Sequence, residues 1–242
     1  MIALFTDFGL EGPYLGQVKA VLCREAPGVA AIDLFADVPP YDPAGAAYLL
    51  AAYSAELPAG TVLLCVVDPG VGSARRAAVV QADGRWYVGP DNGLFNVVAR
   101  RATTLAWWDV TWRPERLSAS FHGRDLFAPV AARLATGALP GDWLAPKPQP
   151  DVLLEGAPLA RVIYVDHYGN CITGIPARGI DHTARLTVGG RELRHARVFG
   201  EAPPGEPFWY ENSAGLVEIA LAGASAAQAL AIGVGAPVAL AA

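Results

Sequence analysis

Hydrophobic and polar positions change their pattern along the chain and divide it into two parts. In the first part, up to about residue 140, short apolar runs alternate with stretches in which apolar residues recur at helical spacing. The short apolar runs include IALFT (2–6) and TVLLCVV (61–67). Helical spacing is seen in YLGQVKAVLCRE (14–25). Because strands alternate with helices here, we predict an α/β domain whose mostly parallel sheet is covered by helices on both faces.

The second part begins after a proline-rich segment, residues 140–158, which carries five prolines and is typical of an extended linker. Short strand-like runs then follow one another closely, among them RVIYVD (161–166) and LVEIAL (216–221). This pattern predicts a small antiparallel β-barrel. The predicted domains are an α/β domain at 1–143, a linker at 144–158 and a β-barrel domain at 159–242.

Composition and charge exclude several classes of partner. The net charge is -5 at pH 7 and the charges are spread along the chain, so we expect neither a nucleic-acid nor an anionic-membrane partner. No apolar run reaches the roughly 18 residues of a membrane span, and the first residues lack the basic start of a signal peptide. We therefore expect a cytoplasmic enzyme or binding protein. The cysteines and histidines lack metal-ligand spacing, so no metal is expected.

Candidate chemistry comes from polar residues that follow the predicted strands, because ligands of parallel sheets bind beyond the carboxyl ends of the strands. Asp7 follows the first strand, and Asp68 follows the run TVLLCVV. Asp7, with a glycine two residues later, has the alternative role of capping a turn. Tyr41 follows two prolines in a rigid loop, where packing and stacking on a ligand are equally good interpretations. Asp42 and Asp91 precede predicted helices, and both are expected to cap them.

The stretch VVDPGVGSARR combines a carboxylate, two glycines and two arginines. The glycines allow the chain to turn sharply, and Arg75 lies seven residues beyond Asp68. An arginine close to a carboxylate stabilises its ionised form, and a histidine such as His122 can accept a proton near neutral pH. These residues predict a site that activates water, as in a hydrolase, and they specify nothing further. Arg76 is interpreted as a surface residue.

Seven short motifs occur in an order that is itself informative: FTDFG, DVPPYD, VVDPGVGSARR, GPDNGLF, FHGRDLFAP, DHYGN and ENSAGLVEIA. Together they resemble, over nearly the whole chain, the S-adenosyl-L-methionine (SAM) hydroxide adenosyltransferase family, the hydrolase relatives of the SAM-dependent fluorinases and chlorinases. The resemblance implies an α/β domain followed by a β-barrel, and a homotrimer that binds SAM between the N-terminal domain of one subunit and the C-terminal domain of the next. It also implies the reaction, in which hydroxide attacks C5′ of the ribose and gives adenosine and L-methionine. SAM is then the substrate, and no cofactor is implied.

The resemblance also implies roles for residues of the first domain. Asp68, Arg75 and His122 match the family's catalytic set beside the attacking water. Asp7 matches the residue that holds the ribose hydroxyls, and Tyr41 matches an aromatic residue against the ribose and adenine. Which residue takes the proton from water stays open.

In the second domain the resemblance implies five substrate contacts. Asp166 matches the carboxylate that meets the amino group of methionine, and Tyr168 and Asn170 fall where the family stacks on and hydrogen-bonds adenine. Ser213 matches a contact to the methionine end of the substrate, and Glu218 lies in the same strand motif near the adenine.

Two alternatives to a hydrolase remain. The first is a SAM- or adenosine-binding protein with little turnover, although binding alone would not need Asp68, Arg75 and His122. The second is a halogenase, in which tyrosine takes the place of Asp68; a carboxylate there repels halide ions, so a hydrolase is favoured. The chain departs from its relatives at Ala36, which has no polar group for a ligand contact, and at Ala214, where the halogenases have arginine.

Overall fold

The computed structural model describes residues 1–241, which form two compact units, Met1–Glu155 and a second unit that begins at Gly156. The division between the units falls inside the proline-rich segment 144–158 that is predicted as a linker. The first residues of that segment form an edge strand of the first unit's sheet. Most of the segment therefore belongs to the first unit.

The described residues of the first unit form seven strands and four α-helices. In chain order the elements are β1 (Ile2–Thr6), α1 (Tyr14–Glu25), β2 (Ala31–Phe35), α2 (Pro43–Tyr53), β3 (Val62–Val66), β4 (Ala77–Ala82), β5 (Arg85–Pro90), α3 (Asn96–Arg101), β6 (Leu105–Val110), a π-helical turn (Gly123–Phe127), α4 (Ala128–Ala135), a 3-10 turn (Gly141–Trp143) and β7 (Leu144–Pro146). In the part of the chain that the structure describes, no helix combines the length and the apolar character that crossing a bilayer requires.

The sheet of the first unit is mixed, so the prediction of a mostly parallel sheet is wrong. Its strand order is β2-β1-β3-β5-β4-β6-β7. Neighbours are parallel from β2 to β5 and antiparallel from β5 to β7. The reason is local: Asp83 and Gly84, with φ of 46° and 79°, close a tight hairpin after β4, so β5 must run back beside it.

The strands β1 and β3 lead into the candidate site, and every residue in both is buried. One face, which includes Leu4 and Leu64, packs on α1 and α4 in a continuous apolar core. Since adjacent side chains of a strand point to opposite faces, the buried Ala3 and Leu63 are covered from the other side. Both strands are thus held between two packed layers.

The described part of the second unit forms one sheet that nearly closes on itself. Its elements are β8 (Leu159–Val165), β9 (Cys171–Pro176), β10 (Arg185–Val188), β11 (Arg191–His195), a 3-10 turn (Phe199–Glu201), β12 (Phe208–Glu211), β13 (Leu216–Ala220), α5 (Ala226–Leu230) and β14 (Val238–Ala241). The strand order is β14-β10-β11-β12-β13-β9-β8, and a bridge between Arg161 and Pro237 links the two edges.

This barrel-like sheet is mixed, and the prediction of a purely antiparallel barrel is correct only in part. Its neighbouring strands are antiparallel except β11 and β12, which are parallel. A parallel pair needs a connection long enough to return the chain to the same end of the sheet. The connection between His195 and Phe208, which contains the 3-10 turn, provides that length.

Candidate active site

Asp68 lies directly beyond the end of β3 and is bound there by Arg75. The Arg75 guanidinium makes two hydrogen bonds to the carboxylate: Nε donates to Oδ1 at 2.9 Å, and Nη2 donates to Oδ2. The same Nη2 lies 3.1 Å from Nδ1 of His122. The side chains of the ion pair are almost buried, with 10% of Arg75 and 3% of Asp68 exposed. The structure thus brings together the three residues that the sequence predicts as catalytic.

Arg75 also selects the tautomer of His122. Arginine can only donate hydrogen bonds, so Nδ1 of His122 must accept, and in the neutral ring the proton is then on Nε2. Burial, followed by the positive charge of Arg75, lowers the pKa of His122 from its usual value. The ring is therefore neutral at pH 7 and presents an N–H at Nε2.

The turn between Asp68 and Arg75 packs against the loop that leads to His122. Gly72, within this turn, has a φ of +77°, and a Cβ built on it would lie 2.4 Å from the carbonyl oxygen of Ala119 in the loop. A side chain at Gly72 would push turn and loop apart, because non-bonded atoms do not approach so closely. Glycine is therefore needed here for its backbone conformation and for the close approach.

Gly72→Ala is expected to destabilise the protein more than Gly60→Ala does. The two glycines have similar φ, +77° and +80°, so each alanine brings a backbone strain of about 1–2 kcal/mol. Among the described residues, nothing lies within 4 Å of a Cβ at Gly60. In urea unfolding, G72A should therefore lose about 1–3 kcal/mol more than G60A, through overpacking against Ala119. Equal losses in the two variants would show that the close approach carries no constraint.

A cavity of about 70 Å³ opens beside these side chains, and its walls include Asp7, Asp68 and His122. A water molecule takes up about 30 Å³ in the liquid, so the cavity has room for about two waters. Phe8 and Phe121 line it as well, and their rings meet edge to face at 5.7 Å. Burial raises the pKa of Asp7 to about 6, and the charge of Asp68 contributes to the rise. The cavity thus offers a water-sized space between two carboxyl groups and an imidazole.

Tyr41 is connected to this cavity through its backbone. Its backbone N–H lowers the pKa of Asp7 and so opposes the effect of burial, and its φ of 63° lies in the left-handed region that residues other than glycine rarely adopt. The ring is 80% exposed, so a strained backbone holds an aromatic side chain in solvent. The next residue, Asp42, caps α2 by accepting from the Gly45 N–H at 3.0 Å, which confirms the sequence prediction.

In the second unit, Asp166 closes the turn that contains Tyr168 and Asn170. Its Oδ1 accepts from the backbone N–H groups of both residues, at 2.9 and 2.8 Å, and its Oδ2 accepts from the Asn170 amide at 3.0 Å. Gly169 has a φ of +83°, and a Cβ there would lie 2.0 Å from Oγ of Ser225. Asn170 is buried, whereas the Tyr168 ring is 76% exposed. The turn is therefore tightly closed and presents the Tyr168 ring to solvent.

Glu218 is a buried carboxyl group in β13 and is held by two side chains. Its Oε1 accepts from the Tyr210 hydroxyl at 2.5 Å, and its Oε2 accepts from the Asn212 amide at 3.0 Å. Burial raises the pKa of Glu218, and the negative charge of Asp166 adds to the rise. Ser213 is exposed in the turn between β12 and β13. The predicted site residues thus form two groups, one in each unit.

Both units match a single protein family along most of their length. Residues 2–143 match the domain described as the SAM hydroxide adenosyltransferase N-terminal domain. Residues 160–239 match the SAM hydroxide adenosyltransferase C-terminal domain. The chain belongs to the SAM hydroxide adenosyltransferase family. The resemblance carried by the seven sequence motifs is confirmed.

Two relatives that are more than 40% identical to this chain share a name. A protein of Thermus thermophilus named (R)-S-adenosyl-L-methionine hydrolase is 44% identical over 99% of this chain and 98% of its own length. A protein of Salinispora arenicola with the same name is 41% identical over 96% of this chain and 94% of its own. A crystal structure of a Thermotoga maritima protein is 34% identical, with a TM-score of 0.89 over the full length of both chains. Proteins named fluorinase are more distant, at 24% identity.

Two residues that the sequence pattern did not single out, Tyr210 and Asn212, hold Glu218 in place. Tyr210 lies directly opposite Glu218 in the ladder of β12 and β13, and Asn212 lies two residues further on. Alternate residues of a strand share a face. One signal in the sequence could therefore have found Tyr210 and Asn212. It is a polar pair two positions apart, followed by an apolar strand that contains a single acidic residue.

Asp91 does not cap α3, although the sequence predicts that it does. The helix begins five residues later, at Asn96, and its N-cap position is Phe95. No side chain caps the helix at that position. The Asp91 side chain accepts instead from Nζ of Lys147 at 2.7 Å.

Proposed function

We propose that this protein hydrolyses (R)-S-adenosyl-L-methionine to adenosine and L-methionine. The observation that carries the proposal is the buried Asp68–Arg75 pair, with His122, at the wall of a cavity that has room for about two waters. The substrate follows from the family and from the names of the relatives. The (R) form at sulfur is proposed because those names specify it.

The substrate brings its own leaving group, so the site has to supply and aim only the nucleophile. As the water oxygen bonds to C5′, the C5′–S bond breaks, and its electron pair converts the sulfonium into neutral methionine. No acid is needed for this departure, and no cofactor enters the proposal. Holding a nucleophile in line with the breaking bond can lower the barrier by roughly 7–11 kcal/mol.

The side chains at the cavity can donate hydrogen bonds to the attacking water and accept hydrogen bonds from it. His122 offers the N–H at Nε2, because Arg75 occupies its Nδ1. Each Asp68 oxygen accepts one hydrogen bond from Arg75 and keeps a further lone pair for water. We therefore assign the acceptor of the water proton to Asp68 and a positioning donor to His122. The negative charge of Asp68 also attracts the sulfonium and repels halide ions, which favours water as the nucleophile.

The proposed substrate contacts combine the family resemblance with the two groups of residues described above. Asp7 accepts hydrogen bonds from the ribose hydroxyls, and the Tyr41 ring lies against the ribose and adenine. The contacts from the second unit are Tyr168, Asn170 and Glu218 at the adenine, and Asp166 and Ser213 at the methionine end. The exposure of the Tyr41 and Tyr168 rings supports these roles, because a stacked ligand would remove both from water.

The proposed assembly is a homotrimer that binds SAM between the first unit of one subunit and the second unit of the next. The division of the site residues between two separate units supports it. A cytoplasmic location is proposed as well, since the three cysteines are free thiols, as in proteins of reducing compartments. Neither a nucleic acid nor a membrane is part of the proposal.

Incubation with (R)-SAM, followed by chromatography of the nucleosides, tests the proposed function. Adenosine and methionine should appear in equal amounts. A reaction that forms no adenosine above an enzyme-free blank would favour a binding protein. Formation of 5′-chloro-5′-deoxyadenosine in high chloride would favour a halogenase.

Asp7→Asn is expected to weaken substrate binding and to stabilise the free protein at pH 7.5. An amide cannot replace an ionised carboxylate as acceptor for two ribose hydroxyls, so KM should rise about 10-fold or more. The folded protein raises the pKa of Asp7 from 3.8 to about 6. The stability that this raised pKa contributes is therefore complete below pH 3.8 and is lost as pH rises through 6. The neutral asparagine avoids that loss, so Tm at pH 7.5 should rise by about 2–4 °C.

The pH dependence of the wild type and of D7N provides the control for this expectation. The Tm difference should disappear near pH 3, below 3.8, where Asp7 is protonated in both the folded and the unfolded protein. Wild-type KM should rise as pH falls below about 6, whereas KM of D7N should be flat there. A wild-type KM that stays constant through this range would rule out Asp7 as the ribose acceptor.

A further inference from the structure

Lys147 lies among three carboxylates at the end of the first unit's sheet. Its ammonium donates to Asp91 at 2.7 Å, to Asp109 at 3.1 Å and to Asp151 at 2.7 Å. Only 9% of the Lys147 side chain and 1% of the Asp91 side chain are exposed. Burial alone would lower the pKa of Lys147, but the hydrogen bonds to the three carboxylates outweigh it and raise the pKa above its usual value. The carboxylates, which are close enough together to bind a metal ion, thus share a side-chain cation.

Asp91 depends on this cation more than the other two carboxylates do. Its Oδ2 accepts from Lys147 and from the backbone N–H of Asp151, at 2.7 and 3.0 Å. Its Oδ1 is buried and has no hydrogen-bond partner among residues 1–241. A buried carboxylate that loses its cation must take up a proton or move towards water. Removal of Lys147 should therefore displace Asp91 and the residue next to it.

Asp91 and Asn92, here called the β5 turn, bind the backbone just before the catalytic turn, residues 68–75. The Asn92 amide donates to the carbonyl oxygen of Val67 at 2.9 Å. Val67 is fully buried and directly precedes Asp68. The β5 turn therefore holds the chain at the point where it delivers the Asp68 carboxylate to the cavity.

The β5 turn also binds the backbone just after the catalytic turn. The Asp91 N–H donates to the carbonyl oxygen of Arg76 at 2.9 Å. The same carbonyl oxygen accepts from Nη1 of Arg75 at 3.3 Å, so it supports the guanidinium that holds Asp68. The Arg76 side chain is 58% exposed, in keeping with a surface residue, yet it donates to Asp109 of the Lys147 cluster at 2.7 Å. Both ends of the catalytic turn are thus tied to the residues that surround Lys147.

We propose that Lys147 is a positioning residue for the hydrolysis. It neutralises Asp91 and so keeps the β5 turn in place, and the β5 turn in turn holds the Asp68–Arg75 pair at the cavity. Lys147 touches neither of those two side chains in the structure, and its effect passes through backbone carbonyl groups on both sides of the catalytic turn. The activity tests of this inference depend on the proposed function.

Lys147→Met should lower kcat by about 10- to 100-fold, the range expected when a nucleophile is misplaced by about 1 Å. KM for (R)-SAM should hardly change, because the proposed substrate contacts lie elsewhere. Arg85→Met is the matched control at the opposite end of β5, where Arg85 donates to the carbonyl oxygens of Leu57 at 2.6 Å and Ala55 at 2.5 Å. R85M should lose stability and keep the wild-type kcat, since its contacts do not reach the catalytic turn.

Asn92→Ala removes the contact between the β5 turn and the Val67 carbonyl oxygen without changing the ion cluster around Lys147. It replaces K147M as the test if that variant does not fold. N92A should also lower kcat at nearly constant KM. In the double variant K147M/N92A, kcat should be close to that of the slower single variant, because both changes act through one turn. Losses that multiply in the double variant would mean that the two residues act independently, and the inference would be wrong.

Hydrogen exchange separates a failure of this inference from a failure of the proposed function, because it needs no substrate. The amides of residues 67–76 should exchange faster in K147M than in the wild type, and should be unchanged in R85M. A wild type that forms no adenosine would refute the proposed function and leave this exchange test intact. Unchanged exchange in K147M, or a wild-type kcat in K147M and N92A, would overturn the role of Lys147.

Discussion

Asp68→Asn should lower kcat for adenosine formation by about 100-fold or more, the scale of positioned acid–base groups. Asparagine has nearly the same shape, but its amide cannot take the proton from water, and its NH2 group would face the N–H donors of Arg75. The bidentate contact that holds the catalytic turn would then lose one of its two acceptors. KM should change less than kcat, because the ribose and the second-unit contacts are untouched. Steady-state rates with (R)-SAM over a range of concentrations measure both constants.

Asp33→Asn is the matched control for this variant. Asp33 makes the same kind of ion pair, with Lys19 at 2.6 Å, but on the surface of β2, where the two side chains are 36% and 37% exposed. The chemical change is identical and Asp33 is not among the residues that line the cavity, so kcat and KM should stay at wild-type values. Wild-type turnover in D68N would remove Asp68 from the mechanism.

His122→Ala should have an effect of similar size, about 100-fold on kcat. The substitution removes the N–H that positions the water, and it removes the acceptor for Nη2 of Arg75. The dependence of kcat on pH below neutrality tests the role of His122 more specifically. As pH falls through the lowered pKa of His122, a second proton enters at Nδ1, opposite the Arg75 guanidinium, and kcat should fall. This decline should lie below the usual histidine pKa of about 6.5 and should be absent from the residual activity of H122A.

His182→Ala serves as the control for a histidine outside the site. His182 is exposed in the second unit and stacks on His195 at 4.1 Å. Its removal should leave kcat and its pH profile unchanged. An H122A variant whose kcat still falls over the same acid range would show that another group titrates there.

The local parts of the fold could be predicted from the sequence, and the pairing of strands could not. The apolar run at 2–6 and the helical spacing at 14–25 coincide with β1 and α1. Their patterns reflect burial of each segment by itself. The direction of β4 and its place between β5 and β6 depend on contacts between distant segments. The hairpin at Asp83-Gly84 was visible in the sequence, but its consequence for the whole sheet was not.

The candidate site shows the same limit. Asp68 and Arg75 are seven residues apart around a glycine turn, so their contact could be foreseen from the spacing. His122 lies 47 residues from Arg75, so no local spacing ties it to the pair: its chemistry suggested a role with them, and the family resemblance assigned that role to it. Lys147 and Asp91 are 56 residues apart, and neither carries a local pattern that points to the other. An ion cluster assembled from separate strands leaves no periodic trace in the sequence.

Hydrolysis of (R)-SAM in ¹⁸O-labelled water tests the central claim most directly. Attack of water at C5′ puts the solvent oxygen into adenosine, so mass spectrometry should find the label in adenosine and unlabelled methionine beside it. The label should appear at a rate equal to that of methionine release. Adenosine without the label, label in the methionine product, or no adenosine at all would contradict the account.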